Sequence, residues 1–331
     1  MKILIPQDIA DAGKEYLEKK GYEYIVCENQ DEETLIKEVK ECDGILIRTA
    51  PVTRKVMEAG KKLKVIAKHG VGVDNIDVDT ATKLGIQVTN GPESNFESVA
   101  EHTVAFIMAM AHHITEMDAN VREGRWETRN QVRMTDLKGK TAGLIGLGKI
   151  GLSVAKKLAL GLDMNVIGYD AYMPKDAAPA YIEQVDSIEQ VYRNSDFVSL
   201  HCPLTAETRN SVDMKFLSMM KPSAFFINTA RGEIVNEKDL CRALETGIIQ
   251  GAALDVFDGE PLCMNNPLLQ LKNTIFSPHC GAHSFESFDS MAVHAAMGID
   301  QVLSGKEVRW KVNHIREETR NIRVKGSERH L

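Results

Sequence analysis

The chain has 331 residues, of which 43% are hydrophobic and 26% are charged, and its formal net charge is −7. This length is more than one hydrophobic core usually organises and suits two domains. The negative charge gives no electrostatic reason to expect nucleic acid or an anionic membrane as a partner, and no apolar run reaches the ~18 to 20 residues that span a bilayer.

The chain begins directly in a strand-like run and shows no signal-peptide pattern, so a cytoplasmic protein is expected. Its cysteines form no C-x-x-C pair and no cluster with metal-like spacing; they are Cys27, Cys42, Cys202, Cys241, Cys263 and Cys280. Reduced thiols in a reducing compartment are therefore expected, and no metal site is predicted.

Before residue 95, short apolar runs alternate with polar helix-like segments. The strand-like runs are residues 3–6, 24–27, 44–48, 65–69 and 88–90, and the helix-like segments lie near 10–20, 31–40, 53–60 and 77–84. Because parallel strands need a crossover connection, this alternation predicts a parallel sheet with helices on both faces.

An uninterrupted helical pattern follows, from Ser98 through Ala111 and on towards Arg122. It is rich in Ala and Met and apolar nearly all round. This predicts a buried helix that crosses between domains or packs against a partner subunit. A Met-rich face belongs to a core more often than to a ligand site, so no chemistry is assigned to it.

The strand and helix alternation resumes after residue 140, with strand-like runs at 141–145, 166–170, 197–201, 224–228, 251–256 and 274–277. The first run leads into a G-x-G-x-x-G turn and then a helix. Gly146 would permit the tight turn, Gly148 would let the backbone approach a pyrophosphate, and Gly151 would let helix and strand pack closely. Alone, such a turn is a weak signal.

The second run of this block ends at Asp170, 19 residues after Gly151. An acid at this spacing can bind the ribose hydroxyls of adenosine, although an ordinary solvated acid also occurs at strand ends. Strand, turn, helix, strand and acid appear here in the order of a dinucleotide site. The sequence therefore predicts that a dinucleotide binds at this turn.

Three further strand-like runs are followed by residues that could do chemistry: Arg231, Glu260 and His279. Ligands of open parallel sheets bind at the C-terminal ends of the strands. Each residue alone could be a surface cation, a solvated loop acid or a strand-end hydrogen bonder. Their occurrence together beside a dinucleotide motif favours a catalytic site.

The chain resembles the D-isomer-specific 2-hydroxyacid dehydrogenase family, in particular its phosphoglycerate dehydrogenase branch. The resemblance extends from Ile45 to about Gly298, and its matching segments are residues 48–50, 70–77, 90–92, 98–102, 146–151, 200–205, 228–232, 255–261 and 277–282. It implies an α/β fold of two doubly wound parallel-sheet domains. A Rossmann NAD-binding domain (98–287) would be inserted in a flavodoxin-like substrate domain (1–97 and 288–331), with a hinged cleft and a homodimer formed through the cofactor domain.

The resemblance also implies a role for each matching residue. Arg231 would hold the carboxylate of a 2-oxo acid through its planar guanidinium, and His279 would exchange the proton, since histidine titrates near neutrality. Glu260 would bond the other ring nitrogen. The implied cofactor contacts are Gly146, Gly148, Lys149, Ile150, Gly151, Asp170, Cys202, Thr229, Ala230, Arg231, Asp255, His279 and Gly281. The implied substrate contacts are Arg48, Lys68, Gly70, Val71, Gly72 and Arg231.

The resemblance leaves the substrate open. Cations at Arg48 and Lys68 suggest a second anionic group, which favours the D-3-phosphoglycerate/3-phosphohydroxypyruvate pair. If one of them pairs instead with an acid such as Asp74, a hydroxypyruvate, glyoxylate or other 2-oxo acid reductase is the alternative. Glu260 argues against the formate dehydrogenase branch, which pairs its histidine with glutamine. An NAD-sensing scaffold like the C-terminal binding protein corepressors is a further alternative from another class.

A last helix-like segment near 284–304 could return the chain to the first domain. The polar residues from Asn313 to Leu331 are expected to be mostly solvated, with little functional weight. No long C-terminal regulatory extension follows, so serine feedback of the phosphoglycerate enzymes is not implied.

Overall fold

The computed structural model describes residues 1–315. The chain divides into two compact units. The first unit consists of Met1–Asn95 together with the described residues from His283 onward, and the second is Phe96–Ala282. The boundaries expected from the family resemblance lie after residues 97 and 287.

The first unit contains a parallel sheet. Its strands are β1 (Lys2–Ile5), β2 (Glu23–Val26), β3 (Gly44–Ile47), β4 (Val65–Lys68) and β5 (Gln87–Thr89), and the helices between them are α1 (Asp11–Lys19), α2 (Glu32–Glu38), α3 (Arg54–Ala59) and α4 (Val78–Lys83). The strand order is β2-β1-β3-β4-β5, as in flavodoxin-like folds. The inner strands β1, β3 and β4 are short apolar runs because helices bury both faces of the sheet there, whereas the edge strand β2 has no buried residue.

The second unit begins with two helices, α5 (Phe96–Ala111) and α6 (Ile114–Arg122). A larger parallel sheet follows, with strands β6 (Thr141–Ile145), β7 (Asn165–Tyr169), β8 (Glu183–Gln184), β9 (Phe197–Leu200), β10 (Phe225–Asn228), β11 (Gly251–Leu254) and β12 (Thr274–Phe276), and with helices α7 (Lys149–Leu162), α8 (Ile188–Asn194), α9 (Met214–Leu217) and α10 (Glu237–Glu245).

The strand order of this sheet is β12-β11-β10-β9-β6-β7-β8. The chain order therefore reverses between β6 and β9, which is where doubly wound sheets bind dinucleotides. Residues of α5 and α7 form the core on one face of the sheet, and residues of α8 and α10 form the core on the other. The predicted fold class of two doubly wound parallel sheets is confirmed.

The prediction of one uninterrupted helix towards Arg122 is wrong. His113 takes a left-handed conformation, with φ of 49°, and this ends the helical hydrogen bonding between α5 and α6. The carbonyl of Ala111 instead accepts a hydrogen bond from the Thr135 amide. Nor is α5 buried all round, because Glu101 is exposed and Met108 keeps 41% of its surface accessible.

The last helix, α11 (Phe285–Leu303), belongs to the first unit and packs closely against α1. A Cβ at Gly13 would lie 2.7 Å from the Cβ of Ala292, so only glycine fits at this helix crossing. The Tyr22 hydroxyl donates to the Asp300 carboxylate (3.1 Å) and ties the same helix to the start of β2.

The prediction of a solvated tail is wrong at its first residue. Asn313 is buried, its Oδ1 accepts from the Val88 amide and the Gln87 side chain, and its Nδ2 donates to Ile86 O and Thr82 Oγ1. A polar side chain with every hydrogen-bonding group satisfied can be buried at little cost. Residues 316–331 of the predicted tail lie outside the described part of the chain.

Within residues 1–315, no helix combines the length and the apolar character that a membrane crossing requires. All six cysteines lie in this range and are free thiols.

Candidate active site

The glycine turn after β6 has the geometry that its sequence predicts. Gly146 has φ of 99°, and a Cβ there would lie 2.7 Å from the Cys202 amide nitrogen. A Cβ at Gly151 would lie 2.1 Å from the carbonyl oxygen of Gly146. Both glycines are therefore needed for the close packing of β6, α7 and the segment after β9.

Gly148 differs from these two glycines, because no atom of the described residues would lie within 4 Å of a Cβ there. It is the N-cap of the 14-residue helix α7 and gives the helix start no side-chain hydrogen bond. Lys149, Ile150 and Gly151 form the first turn of this helix. An uncapped helix N-terminus behind an open glycine attracts an anion, so the turn fits the pyrophosphate of a dinucleotide.

Asp170 directly follows β7 and is tied to this turn. Its Oδ2 accepts a hydrogen bond from the Leu147 amide (2.8 Å), and its Oδ1 accepts from the amides of Tyr172 (2.8 Å) and Met173 (3.1 Å). Each carboxylate oxygen can accept two hydrogen bonds, so Oδ2 retains capacity for a ribose hydroxyl. The carboxylate also organises the backbone of the glycine turn.

The sheet aligns the predicted residues of the second unit along one edge. Following the strand order from β12 to β7, the residues just after the strands are His279 with Gly281, then Asp255, Thr229 to Arg231, Cys202, Gly146 and Asp170. Burial raises the pKa of Cys202 to about 11, so this residue is a neutral thiol at physiological pH. Thr229 is buried, with its hydroxyl 2.9 Å from that of Thr103 on α5.

His279 and Glu260 form a close pair at this edge, with His279 Nδ1 2.6 Å from Glu260 Oε2. Glu260 Oε1 accepts from the Phe257 amide (3.1 Å), which holds the carboxylate in place. Burial works to raise the pKa of Glu260, but the hydrogen bond and charge of His279, the Phe257 amide and the charge of Arg231 outweigh it and lower this pKa. Glu260 is thus a carboxylate at neutral pH, and it accepts the hydrogen bond from His279 Nδ1.

Arg231 follows β10 after Thr229 and Ala230. The Asn228 side chain shapes this turn, since its Oδ1 accepts from the Ala230 amide (3.0 Å) and its Nδ2 donates to the Arg231 carbonyl (2.8 Å). One nitrogen of the guanidinium donates to the Ala230 carbonyl (2.7 Å). The turn therefore fixes both the backbone and the side chain of Arg231.

Asp255 is buried and already makes several hydrogen bonds. Its Oδ1 accepts from Ser277 Oγ (2.5 Å) and the Cys280 amide (2.8 Å), and its Oδ2 accepts from the Gly281 amide (2.9 Å). The ligand atoms of His102, Asp255 and Cys280 lie within 4.8 Å of one another, a spacing a metal ion could use. Because amide and hydroxyl donors already occupy the carboxylate, this cluster is better suited to holding a loop than to holding a cation.

In the first unit, Arg48 directly follows β3, and Lys68 is the last residue of the neighbouring strand β4. Arg48 donates to the carbonyl of Asp8 (2.9 Å), and its guanidinium lies 4.9 Å from the ring centre of Phe288. Lys68 Nζ donates to the Arg48 carbonyl (2.5 Å) and to Asn75 Oδ1 (2.6 Å). Lys68 therefore supports the loop that carries Arg48.

The Gly70-Val71-Gly72 segment leaves β4 through Gly70, whose φ is 120°. The Gly70 carbonyl accepts from the Gly91 amide, and the Val71 carbonyl accepts from the Asn90 side chain, both at 2.8 Å. These bonds fix the carbonyl side of the loop. Its neighbour His69 is buried, and burial, assisted by the charge of Arg48, lowers the pKa of His69 to about 3.

Sequence reasoning missed several residues that support these side chains. Phe288 lies against the Arg48 guanidinium, and Gln7 holds the Arg48 loop by accepting from the amides of Thr49 (2.7 Å) and Ala50 (3.0 Å). His102 lies 2.9 Å from Ser277 Oγ. The motif segments contain His102 and Ser277, but no spacing rule in the sequence indicates that they touch.

Comparison with known proteins agrees with the fold and the glycine turn. Residues 104–281 match the family model "D-isomer specific 2-hydroxyacid dehydrogenase, NAD binding domain". The chain is 41% identical over 315 residues to D-3-phosphoglycerate dehydrogenase of Methanocaldococcus jannaschii, covering 95% of this chain and 59% of that protein. It is 38% identical to glyoxylate reductase of Korarchaeum cryptofilum, covering 88% of each.

Among solved structures, the TT0316 protein of Thermus thermophilus superposes with a TM-score of 0.87 at 33% identity, covering 95% of this chain and all of that one. This chain spans between a half and three-fifths of the length of the D-3-phosphoglycerate dehydrogenases that it resembles. The family match confirms the NAD-binding domain that the resemblance implied, and the matched residues contain the glycine turn. The chain belongs to the D-isomer-specific 2-hydroxyacid dehydrogenase family.

Proposed function

We propose that this chain is an NAD-dependent D-2-hydroxyacid dehydrogenase, which interconverts a 2-oxo acid and a D-2-hydroxy acid. The observation that carries the proposal is the contact of His279 Nδ1 with Glu260 Oε2 (2.6 Å). The charge of Arg231 also helps to lower the pKa of Glu260. The pair lies at the same sheet edge as the glycine turn. A proton donor, its orienting acid and a guanidinium are what carbonyl reduction requires.

Bound NAD(H) supplies or accepts the hydride. Arg231 would bind the substrate carboxylate through two parallel charge-assisted hydrogen bonds and polarise the adjacent carbonyl. Because Nδ1 of His279 bonds to Glu260, Nε2 is the ring atom that gives a proton to the new hydroxyl in reduction. In oxidation, the same atom takes the proton from the hydroxyl of the 2-hydroxy acid.

We propose 3-phosphohydroxypyruvate and D-3-phosphoglycerate as the substrate pair, with Arg48 binding the phosphate. The relatives named D-3-phosphoglycerate dehydrogenase, at about 40% identity, favour this choice. Arg48 is braced by Phe288 and the Asp8 carbonyl, which suits a fixed anion-binding guanidinium. Lys68 would contribute positive charge while it holds the Arg48 carbonyl.

An unphosphorylated 2-oxo acid, such as hydroxypyruvate or glyoxylate, is the second candidate. The hydrogen bonds of Lys68 to Arg48 and Asn75 favour it, because they give this cation a structural task. The resemblance to the glyoxylate reductase of Korarchaeum cryptofilum, over 88% of its length, favours it too.

Steady-state turnover of 2-oxo acids with NADH tests the reaction. We expect His279→Ala and Arg231→Ala each to lower kcat/KM at least about 100-fold, because a proton donor or a charge-assisted anchor is lost from the transition state. NADH binding should stay nearly intact in both variants. Arg242→Ala, at an exposed arginine of α10, is the control and should behave as the unmodified protein. A folded His279→Ala protein with full turnover would overturn the assignment.

The substrate needs a separate comparison. Loss of the phosphate removes charge-assisted hydrogen bonds worth about 1.5–3 kcal/mol each, so 3-phosphohydroxypyruvate should exceed hydroxypyruvate in kcat/KM by at least about 100-fold. Arg48→Ala should erase most of this preference and leave hydroxypyruvate turnover nearly unchanged. A protein that prefers hydroxypyruvate would refute the phosphate proposal and leave the dehydrogenase proposal standing.

We also propose a homodimer formed through the second unit, in the cytoplasm. The segment from α5 to residue 134 exposes large apolar side chains, at Met108, Ile114, Val121, Trp126 and Met134. Such a surface on one segment is typical of an interface with another protein. Light scattering measures the mass directly: we expect a dimer, and Trp126→Arg should weaken it, whereas a monomeric unmodified protein would refute the proposal.

A further inference from the structure

His102 lies in the middle of α5 and contacts the loop that carries His279. Its Nε2 is 2.9 Å from Ser277 Oγ and 3.7 Å from Asp255 Oδ1. The Ser277 hydroxyl gives its hydrogen to Asp255 Oδ1 (2.5 Å), so its oxygen acts as acceptor towards the imidazole. The contacts form a chain in which His102 donates to Ser277 and Ser277 donates to Asp255.

Asp255 holds most of this loop by itself. Besides Ser277, its carboxylate accepts from the amides of Cys280 (2.8 Å) and Gly281 (2.9 Å), and its carbonyl accepts from the His279 amide (2.8 Å). His279 has φ of 50°, in the left-handed region that residues other than glycine rarely adopt. Such a conformation persists only where the surrounding contacts hold it, and Asp255 provides these contacts.

The His102 ring has little freedom to leave this arrangement. The Phe106 ring lies 4.5 Å away on the same helix, centre to centre. A Cβ at Gly281 would lie only 3.4 Å from His102 Cδ2, so the loop backbone runs close beside the imidazole. The donor nitrogen is therefore held at a fixed position relative to Ser277.

We propose that His102 is a positioning residue for the proton-transferring His279, acting through Ser277 and Asp255. The inference rests on the proposed dehydrogenase function. The donated hydrogen bond fixes the Ser277 hydroxyl, and this hydroxyl fixes one oxygen of Asp255. The carboxylate in turn fixes the loop backbone directly after His279, through the Cys280 and Gly281 amides. Misplacing a reacting group by a fraction of an ångström lowers turnover more than it lowers binding.

The test uses two substitutions with opposite chemistry. His102→Leu keeps an apolar contact with Phe106 and removes the donor, and His102→Gln keeps a donor near the position of Nε2. We expect His102→Leu to lower kcat for 2-oxo acid reduction about 10-fold or more while KM for NADH and for the oxo acid changes less than about 3-fold. His102→Gln should recover kcat to within about 3-fold. Ser277→Ala should match His102→Leu, and the double variant should lose little more than either.

A second readout does not depend on turnover. The Cys280 and Gly281 amides should exchange hydrogen at least about 10-fold faster in His102→Leu than in the unmodified protein or in His102→Gln, while amides of β11 keep their rates. Unchanged exchange with unchanged kcat would overturn the proposal. Equal losses of kcat in both His102 variants, with a lower Tm in both, would reduce His102 to a packing role and also overturn it. If no oxo acid turns over in the unmodified protein, the dehydrogenase proposal fails while the exchange rates still test the positioning of the loop.

Discussion

Gly148 offers a sharp test of where a dinucleotide would bind, because alanine there should harm binding without harming the fold. Its backbone is extended (φ −71°, ψ −168°), and an added Cβ meets no atom of residues 1–315 within 4 Å. Replacing an N-cap glycine by alanine should cost the free energy of unfolding no more than about 1 kcal/mol. If a pyrophosphate lies against this turn, the methyl group enters its space. We then expect the Kd for NADH to rise at least about 10-fold, which is about 1.4 kcal/mol.

Two glycines in α7 provide matched controls for Gly148→Ala. A Cβ at Gly151 would lie 2.1 Å from a backbone carbonyl oxygen, so Gly151→Ala must move the helix away from β6 and should lower the free energy of unfolding by about 1–3 kcal/mol. Gly161, in the last turn, has no atom from the described part of the chain within 4 Å of its Cβ position. Gly161→Ala should raise the free energy of unfolding by up to about 1 kcal/mol, because alanine is the better helix former.

Denaturant unfolding without cofactor and calorimetric titration with NADH separate the three variants. The expected pattern is weak binding with a stable fold for Gly148→Ala, loss of stability for Gly151→Ala, and unchanged binding for Gly161→Ala. Unmodified NADH affinity in Gly148→Ala would refute the placement of the pyrophosphate at this turn. Full stability in Gly151→Ala would refute the packing argument.

Two further predictions concern protons and cofactor choice. Because the pKa of Glu260 is lowered, its charge is present beside His279 at neutral pH. Reduction takes up a proton through His279 and should slow as pH rises, whereas oxidation releases a proton and should accelerate. In Glu260→Gln the decline of reduction should begin at lower pH, and identical pH profiles of kcat/KM would remove Glu260 from the pair. At Asp170, like charge should disfavour the 2′-phosphate of NADPH, so NADH should be preferred at least about 10-fold in kcat/KM, and Asp170→Asn should narrow the difference. Equal kcat/KM with NADH and NADPH in the unmodified protein would contradict this.

The sheets were largely predictable because buried parallel strands are apolar runs whatever their neighbours are. All eleven predicted runs overlap a strand, and among the strands of residues 1–315 the sequence pattern missed one, β8 (Glu183–Gln184). It contains two polar residues and lies at the edge of the sheet that the structure describes, where it pairs with β7. It is a strand because of its backbone hydrogen bonds to β7, and its sequence has no apolar pattern that would indicate one.

The break between α5 and α6 was not predictable from residue types. Positions 112 and 113 are both histidine, whereas a helix end is usually marked by a proline or a glycine. The helix ends at the left-handed His113, and the Ala111 carbonyl is satisfied by the Thr135 amide, a residue outside both helices. The burial of Asn313 was also not predictable from its residue type, because its hydrogen-bond partners near β5 are more than 220 residues away in sequence.

The candidate site also contains residues that could be predicted from the sequence and residues that could not. Arg231, Glu260 and His279 could be predicted because chemistry-bearing side chains after strands of a parallel sheet meet at one edge. His102 and Ser277, 175 residues apart, could not be predicted, because their importance lies in a hydrogen bond that exists only in the folded chain. His279 links the predictable residues to the unpredictable ones, because its backbone is left-handed. A histidine in this conformation depends on the bonds that hold its loop, so turnover should be as sensitive to these supporting residues as to the orienting acid Glu260.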